Sequence, residues 1–194
     1  GKDWDLSRKN AGITLLPPYS YSKKASPLVT GEYRGKIDAL AGAIDYLQKN
    51  RADYVVLADG DLIANIDISE VVQAHENSGN DITMVVTKKS ADNPFTTYCE
   101  LNRKREIVDI RVGDNNDGKC KYSALGVYVM SRQYLIHLIA DCVTHNCIHF
   151  ERELLTRALN DSNIGAYVFN EYNTKVFDAK DYFQANMDIL DKDC

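Results

Sequence analysis

The sequence predicts an α/β fold whose mixed, mostly parallel sheet carries a β-hairpin insertion. Three observations lead there. Apolar residues recur at helical spacing over residues 36–50, an apolar strand over 54–58 follows, and then come a second helix and a second strand over 82–87. Such an alternation, with connections of a few residues, goes with parallel strands joined by crossover helices. From residue 95 onward the pattern changes to alternating β segments broken by "RK" and "DNNDG", which marks the insertion. Finally, 194 residues with 44% hydrophobic and 26% charged content suit a globular domain large enough to bury its own core.

Taken in order, residues 1–35 are rich in Ser, Pro, Lys, Tyr and Gly, and the paired prolines of "LLPPYSYSKKASP" forbid helix and central strand alike. Residues 13–16 form an apolar pulse long enough for one short strand. Ile37, Leu40, Ala41, Ile44 and Leu47 then lie three or four apart, an amphipathic helix ending near Asn50. Tyr54–Ala58 is apolar at consecutive positions, as in a strand covered on both faces. Asp67 and Glu70 make a capping box for a helix carrying Val71, Val72 and His75, which Gly79 stops. Ile82–Thr87 is the next strand. After the hairpins, residues 125–130 form a strong strand, and Ser131 caps a helix through about Ile139. Another amphipathic helix covers roughly 150–159, a strand covers 166–169, and a last helix starting near Asp178 carries Tyr182, Phe183, Met187 and Leu190.

The formal net charge of −5 argues against a non-specific nucleic-acid or membrane surface. No apolar run approaches the roughly 20 residues that span a bilayer, and "GKDWDLSRKN" has no signal-peptide core. Five scattered cysteines do not make a disulfide framework, so a reduced, cytoplasmic protein is expected.

The chemistry centres on "YVVLADGDLI", residues 54–63, where β-forming residues run into Asp59 and Asp61. Two like charges so close cost free energy unless they are solvated, paired or bound to a cation. At the carboxyl edge of a parallel sheet, where ligands of open α/β folds bind, such a pair can hold Mg²⁺ or Mn²⁺ against phosphates. The alternative is a turn and helix cap beside Gly60. "EYRGKIDAL" sets Arg34 and Gly35 at a helix start, whose free N–H groups attract anions; a solvated arginine at a glycine turn is the alternative. Cys142, His145, Cys147 and His149 follow a spacing that standard zinc sites do not use, and partial burial between helices explains them better. The Asp114–Asp117 stretch lacks the bidentate glutamate of a calcium loop and reads as a hairpin tip. Neither GxGxxG nor GxxxxGK[ST] occurs.

In this order the segments resemble bacterial glucose-1-phosphate adenylyltransferases, the sugar nucleotidyltransferases that make ADP-glucose for glycogen. The resemblance rests on "LLPP", "YRGKIDA", "VLADGDLIANIDI", "ALGVYVM" and "DYFQANMDIL", and is nearest to the GlgD-type subunit that pairs with the catalytic enzyme. It implies a Rossmann-like, GT-A-like nucleotidyltransferase domain. It also implies that residues 1–194 are a partial domain, with the first strand and glycine-rich loop before Gly1 and a left-handed β-helix domain beyond Cys194.

Carried over by position, Asp61 takes the place of the first metal-binding aspartate, and Tyr33, Arg34, Gly35 and Asp38 lie on the nucleotide and sugar side with Asp59 and Gly126. Two departures stand out. The lysine that binds the sugar phosphate falls near Gly113, and the second metal-binding aspartate falls at Lys175. Three readings follow. The first is a regulatory GlgD-type partner with weak or no catalysis, binding ATP, ADP-glucose or glucose 1-phosphate weakly within a hetero-oligomer. The second is an active, Mg²⁺-dependent adenylyltransferase joining ATP and glucose 1-phosphate. The third is a nucleotide-sugar-dependent glycosyltransferase with Asp59 and Asp61 as its metal clamp.

Overall fold

In the computed structural model, which describes residues 12–16, 34–88, 94–113, 115 and 117–190, a ten-residue strand over Tyr122–Ser131 is the hub of the sheet. The elements in chain order are α1 (Lys36–Gly42), α2 (Ile44–Lys49), β1 (Tyr54–Ala58), β2 (Leu62–Ala64), α3 (Ile68–Ser78), β3 (Ile82–Thr87), β4 (Thr97–Leu101) and β5 (Ile107–Val112). There follow β6 (Tyr122–Ser131), α4 (Arg132–Thr144), a π-helical stretch (Phe150–Leu155), α5 (Thr156–Asp161), β7 (Ile164–Val168), β8 (Asn173–Lys175) and α6 (Ala179–Ile189). The main sheet runs β5-β4-β6-β3-β7, with β1 also on β6, and β2 pairs with β8 in a separate ribbon.

The fold is α/β as expected, but the expected dominance of parallel pairing is corrected. Among the described strands only β3 and β7 pair in parallel; β6 is antiparallel to β1, β3 and β4, as β5 is to β4 and β2 to β8. The reason is topological. β1 and β3 do run the same way, as their connection through α3 demands, yet β6 lies between them and opposes both. A helical crossover fixes relative direction, not adjacency, and β6 arrives from the insertion to occupy the gap.

The chain divides into two compact units: Gly1–Arg51 with Ile136–Phe150, and Ala52–Leu135 with Glu151–Cys194. In the first, the single helix expected over 36–50 is two, broken at Ala43 just after Gly42. Glycine inside a helix costs about 1 kcal/mol relative to alanine, so the break falls at the weakest link. Ile37, Ala41, Ile44 and Leu47 are buried, the stripe that the spacing predicts. α4 outruns its expected end at Ile139 because Cys142 carries the buried stripe one turn further, and left-handed Asn146 (φ 61°) then turns the chain. The strand expected at 13–16 does not form; those residues are exposed.

In the second unit β6 is buried continuously from Ser123 to Met130. Leu125, Val127 and Val129 join Val85, Phe169 and Val71 of α3 in one apolar cluster. Burying an aliphatic side chain of this size contributes about 1.5–3 kcal/mol, so this face holds α3 to the sheet. β1 is only half-buried, unlike the strand covered on both faces that its apolar run predicts, and among the described residues it pairs along one edge alone, with β6, so its other edge adds to the exposure. Asp67 caps α3 through the Ser69 N–H (2.7 Å), while Glu70 accepts from the Tyr167 hydroxyl (3.5 Å) instead of closing a reciprocal capping box. Gly79 ends the helix in the left-handed conformation (φ 67°).

His75 on α3 is buried, 2.8 Å from the Thr83 hydroxyl through Nδ1 and edge-on to Tyr54 with ring centroids 5.3 Å apart. Burial pushes its imidazole below the usual value, with Glu76 and Asp81 opposing weakly. Because the folded state disfavours protonation, this contribution is complete above the unfolded value near 6.5 and is lost as pH falls through the lower folded value. Urea midpoints should therefore place wild type above His75→Leu at pH near 7.5, where the variant strands the Thr83 hydroxyl, with the gap narrowing at pH near 5.5. A gap that widens on acidification would show that His75 is charged in the native state.

Candidate functional site

The site in the second unit begins with a β-bulge. Between the pairs Met84↔Tyr128 and Val86↔Ala124, β3 advances two residues while β6 advances four. Gly126 turns the bulge with φ 81°, a conformation that costs residues with a Cβ about 1–2 kcal/mol. Bulges re-aim side chains and often sit beside functional sites. On the other edge of β6, β4 pairs at residues 122–123 and β1 at 127–131, so residues 124–126 lie between them. Asp59, the residue after β1, fills that notch. Its N–H donates to the Gly126 carbonyl (3.0 Å), and its carboxylate lies so close to Gly126 that a Cβ there would stand 2.2 Å from Oδ2.

Asp61 follows across Gly60, and β2 then pairs with β8 so that Leu62 opposes Lys175. The Asp61 carbonyl accepts from the Val176 N–H (2.9 Å), and the Asn65 N–H donates to the Tyr172 carbonyl (3.3 Å), so backbone bonds hold both ends of the ribbon. This register delivers the Lys175 ammonium to the two carboxylates. Nζ donates to Asp59 Oδ2 at 3.2 Å and stands 3.9 Å from Asp61 Oδ1. That Asp61 oxygen is buried and has no hydrogen-bond partner among the described residues. Lys175 and Asp59 are 22% and 18% exposed, dry enough for their attraction to exceed that of an open surface pair.

Behind the cluster, Tyr128 lies two residues beyond Gly126 on β6 and is fully buried, its hydroxyl 3.4 Å from Glu151 Oε1. Burial first, then Glu151 and Asp59, raise its phenol well above the usual value, so it stays protonated and donates. Sequence reasoning did not single out Tyr128 or Glu151. The signal was thin: a tyrosine in a run of buried β residues is ordinarily core.

In the first unit, Arg34 and Asp38 form a local clamp. Asp38 is buried and accepts from Arg34 Nε (2.9 Å), Nη2 (3.2 Å) and backbone N–H (3.0 Å). The Arg34 hydrogen bond holds the Asp38 carboxyl below its usual range, and Asp38 holds the guanidinium above its own. Gly35 permits close approach to Ile148, whose carbonyl a Cβ would meet at 2.6 Å. Tyr33 lies outside the described residues.

Gly113, where the resemblance implies a phosphate-binding lysine, has φ 76°, and a Cβ would stand 2.3 Å from the Pro94 carbonyl. The backbone there has no room for a lysine. Asp114 and Asn116 lie outside the described residues. Asn115 brackets Cys120 by two hydrogen bonds, and Arg111 grips Asp117 (2.8 Å) and holds its carboxyl down at about 2. Cys142 and Cys147 are buried, whereas His145 is half-exposed against Asp141. Among the described residues no group of three or more His, Cys, Asp or Glu is placed to hold a metal ion. A further open cavity of about 420 Å³ lies at the start of α3, between Asp67, Glu70 and Tyr167.

A family model described as Nucleotidyl transferase matches residues 16–192. The chain belongs to the nucleotidyl transferase family. Its relatives include glucose-1-phosphate adenylyltransferases of Halalkalibacterium halodurans (28% identical, over 99% of this chain and 50% of that protein) and Geobacillus stearothermophilus (27%, 99% and 49%). A third, from Thermosipho melanesiensis, is 28% identical over 97% of this chain and 45% of its own length. The chain thus spans about half the length of the curated relatives it matches. The Mg²⁺ that the resemblance implies for a nucleotidyl transferase does not fit the residues found here. Mg²⁺ demands a close octahedron of oxygens at about 2.0–2.1 Å, whereas the space facing Asp59 and Asp61 is taken by a lysine ammonium. No described helix is long and apolar enough to cross a membrane.

Proposed function

We propose that this nucleotidyl transferase acts in cytoplasmic glycogen biosynthesis as a GlgD-type regulatory subunit, joined in a hetero-oligomer to a catalytic glucose-1-phosphate adenylyltransferase. Its own synthesis of ADP-glucose from ATP and glucose 1-phosphate is weak or nil. The observation that carries the reading is Lys175, whose ammonium stands 3.2 Å from Asp59 and 3.9 Å from Asp61 where a second acidic ligand is implied. Phosphoryl and nucleotidyl transfer depend on charge clamps around the reacting phosphates. Gly113 deepens the deficit, since the substrate-phosphate lysine has no counterpart there and no room for one. By the resemblance, residual nucleotide or sugar-phosphate binding would draw on Tyr33, Arg34, Gly35 and Asp38 in the first unit and, considered by themselves, on Asp59 and Gly126 in the second; no Mg²⁺ is invoked for it. The active-enzyme reading draws on the names of the relatives, and the family match favours both over a DxD glycosyltransferase.

The test is ADP-glucose synthesis in Mg²⁺ by the full-length protein, alone and mixed with the catalytic enzyme of its organism. Alone, turnover should be at least about 100–1,000-fold below that of the catalytic enzyme, the cost of losing one charge-stabilising group. In the mixture, rate or effector response should change. Robust turnover alone, abolished by Asp61→Asn, would overturn the reading.

A further inference from the structure

We propose that the Lys175 ammonium is the resident cation of this site, a covalently tethered replacement for a divalent ion, so that Asp59 and Asp61 neither need nor bind Mg²⁺ or Mn²⁺. This rests on the charge cluster described above, not on whether the protein turns over. Three features carry it. The β2–β8 register and the Val176-to-Asp61 backbone bond fix Lys175 opposite the carboxylates, so its charge does not wander as on a free surface. Its hydrogen bond to Asp59 and its approach to the otherwise unpartnered Asp61 Oδ1 place one positive charge between two negative ones. And Asp59 is seated in the notch over Gly126, its N–H donating to the Gly126 carbonyl (3.0 Å) and its carboxylate packed where a Cβ on that residue would stand, on the side that Lys175 reaches.

The cluster sums to one net negative charge with the lysine in place. Exchanging it for an aspartate would remove the ammonium from between Asp59 and Asp61 and add a third carboxylate on the facing strand, the kind of hard oxygen donors that divalent cations take. A tethered ammonium is also present at any ion concentration, so at constant ionic strength chelators and divalent cations should leave the wild-type site unchanged.

The experiment is a Mn²⁺ titration of the full-length protein, followed by electron paramagnetic resonance of the free ion and by melting temperature. It compares wild type, Asp61→Asn, Lys175→Asp, Lys175→Gln, and Lys175→Asp with Asp61→Asn. Wild type should show no saturable binding that Asp61→Asn removes, and no melting shift with Mn²⁺ or EDTA. Lys175→Asp should bind one Mn²⁺ and gain melting temperature from it. Adding Asp61→Asn should weaken that binding by about tenfold or more, since losing a ligand costs at least as much as losing an outer-shell partner. Should Lys175→Asp fail to fold without metal, recovery of its fold by Mn²⁺ supports the proposal and failure to recover defers to Lys175→Gln, which opens the position without adding charge. Saturable wild-type binding lost on Asp61→Asn would sink the proposal, as would folded Lys175→Asp, or folded Lys175→Gln in its place, that ignores Mn²⁺. No substrate enters this measurement. ADP-glucose made by a protein that binds no Mn²⁺ at Asp61 would end the regulatory reading alone, and wild-type Mn²⁺ binding without product would end the tethered cation alone.

Discussion

Gly126→Ala should lower stability by about 2–4 kcal/mol, combining the strain of a left-handed residue with overpacking against its neighbour. For a chain of this size that is a fall of roughly 5–15 °C in melting temperature. The magnitude follows from what the added methyl group meets. Asp59 contributes Oδ2, Cγ and Cβ at 2.2, 2.6 and 3.0 Å, so the whole side chain must move, not merely its tip. Moving it pulls Oδ2 away from the Lys175 ammonium, and the charge cluster is broken by a substitution that carries no charge. Gly118→Ala provides the comparison. Gly118 is also left-handed (φ 63°), but a Cβ there meets nothing within 4 Å, so its cost should stay near the strain alone, about 1–2 kcal/mol. Thermal melts of the two variants check the difference; equal losses would mean that contact with Asp59 contributes nothing.

Tyr128→Ala should cost about 3–5 kcal/mol, as for other large aromatic truncations, because it opens a cavity beneath the centre of the sheet. Tyr128 is 2% exposed on the strand that pairs with β1, β3 and β4. Tyr128→Phe should cost only about 1 kcal/mol, since the ring stays and the hydroxyl bond to Glu151, at 3.4 Å, is a long one. Denaturant titration of both variants separates packing from hydrogen bonding. If the phenylalanine variant loses as much as the alanine one, the Glu151 contact and not the ring holds this region.

Where an element was long and periodic, its residues announced it. Tyr54–Ala58, Ile82–Thr87, the Asp67 and Gly79 ends of α3, and the Asp178 cap of α6 all lie where apolar spacing and capping chemistry place them. Strand neighbours were another matter. Nothing local in β1, α3 or β3 says that a strand from some forty residues later will slip between them, because pairing is decided by which buried faces fit. β2 and β8 were silent for a simpler reason: three residues each are too few to show a period of two.

The candidate site was legible in part. Asp59 and Asp61 advertise themselves as adjacent like charges beyond an apolar strand. Lys175 stands out against the motif it interrupts. What the chain does not display is their meeting, a contact across 116 positions that exists only because a ribbon of three pairs brings residue 175 opposite residue 62. The bulge was foreshadowed only by a glycine inside a strand, which marks either a bulge or a close approach. Here it marks both.

The members of the charge cluster are unequally anchored. Asp59 is seated on the central strand, whose amides should be among the last to exchange with solvent, while Asp61 and Lys175 belong to a ribbon with few bonds of its own. Short, half-buried segments open locally long before a domain unfolds. The Asp59–Lys175 contact therefore works as a latch between ribbon and sheet, and rising ionic strength, which screens partly exposed charges, should loosen the ribbon while the sheet stays closed.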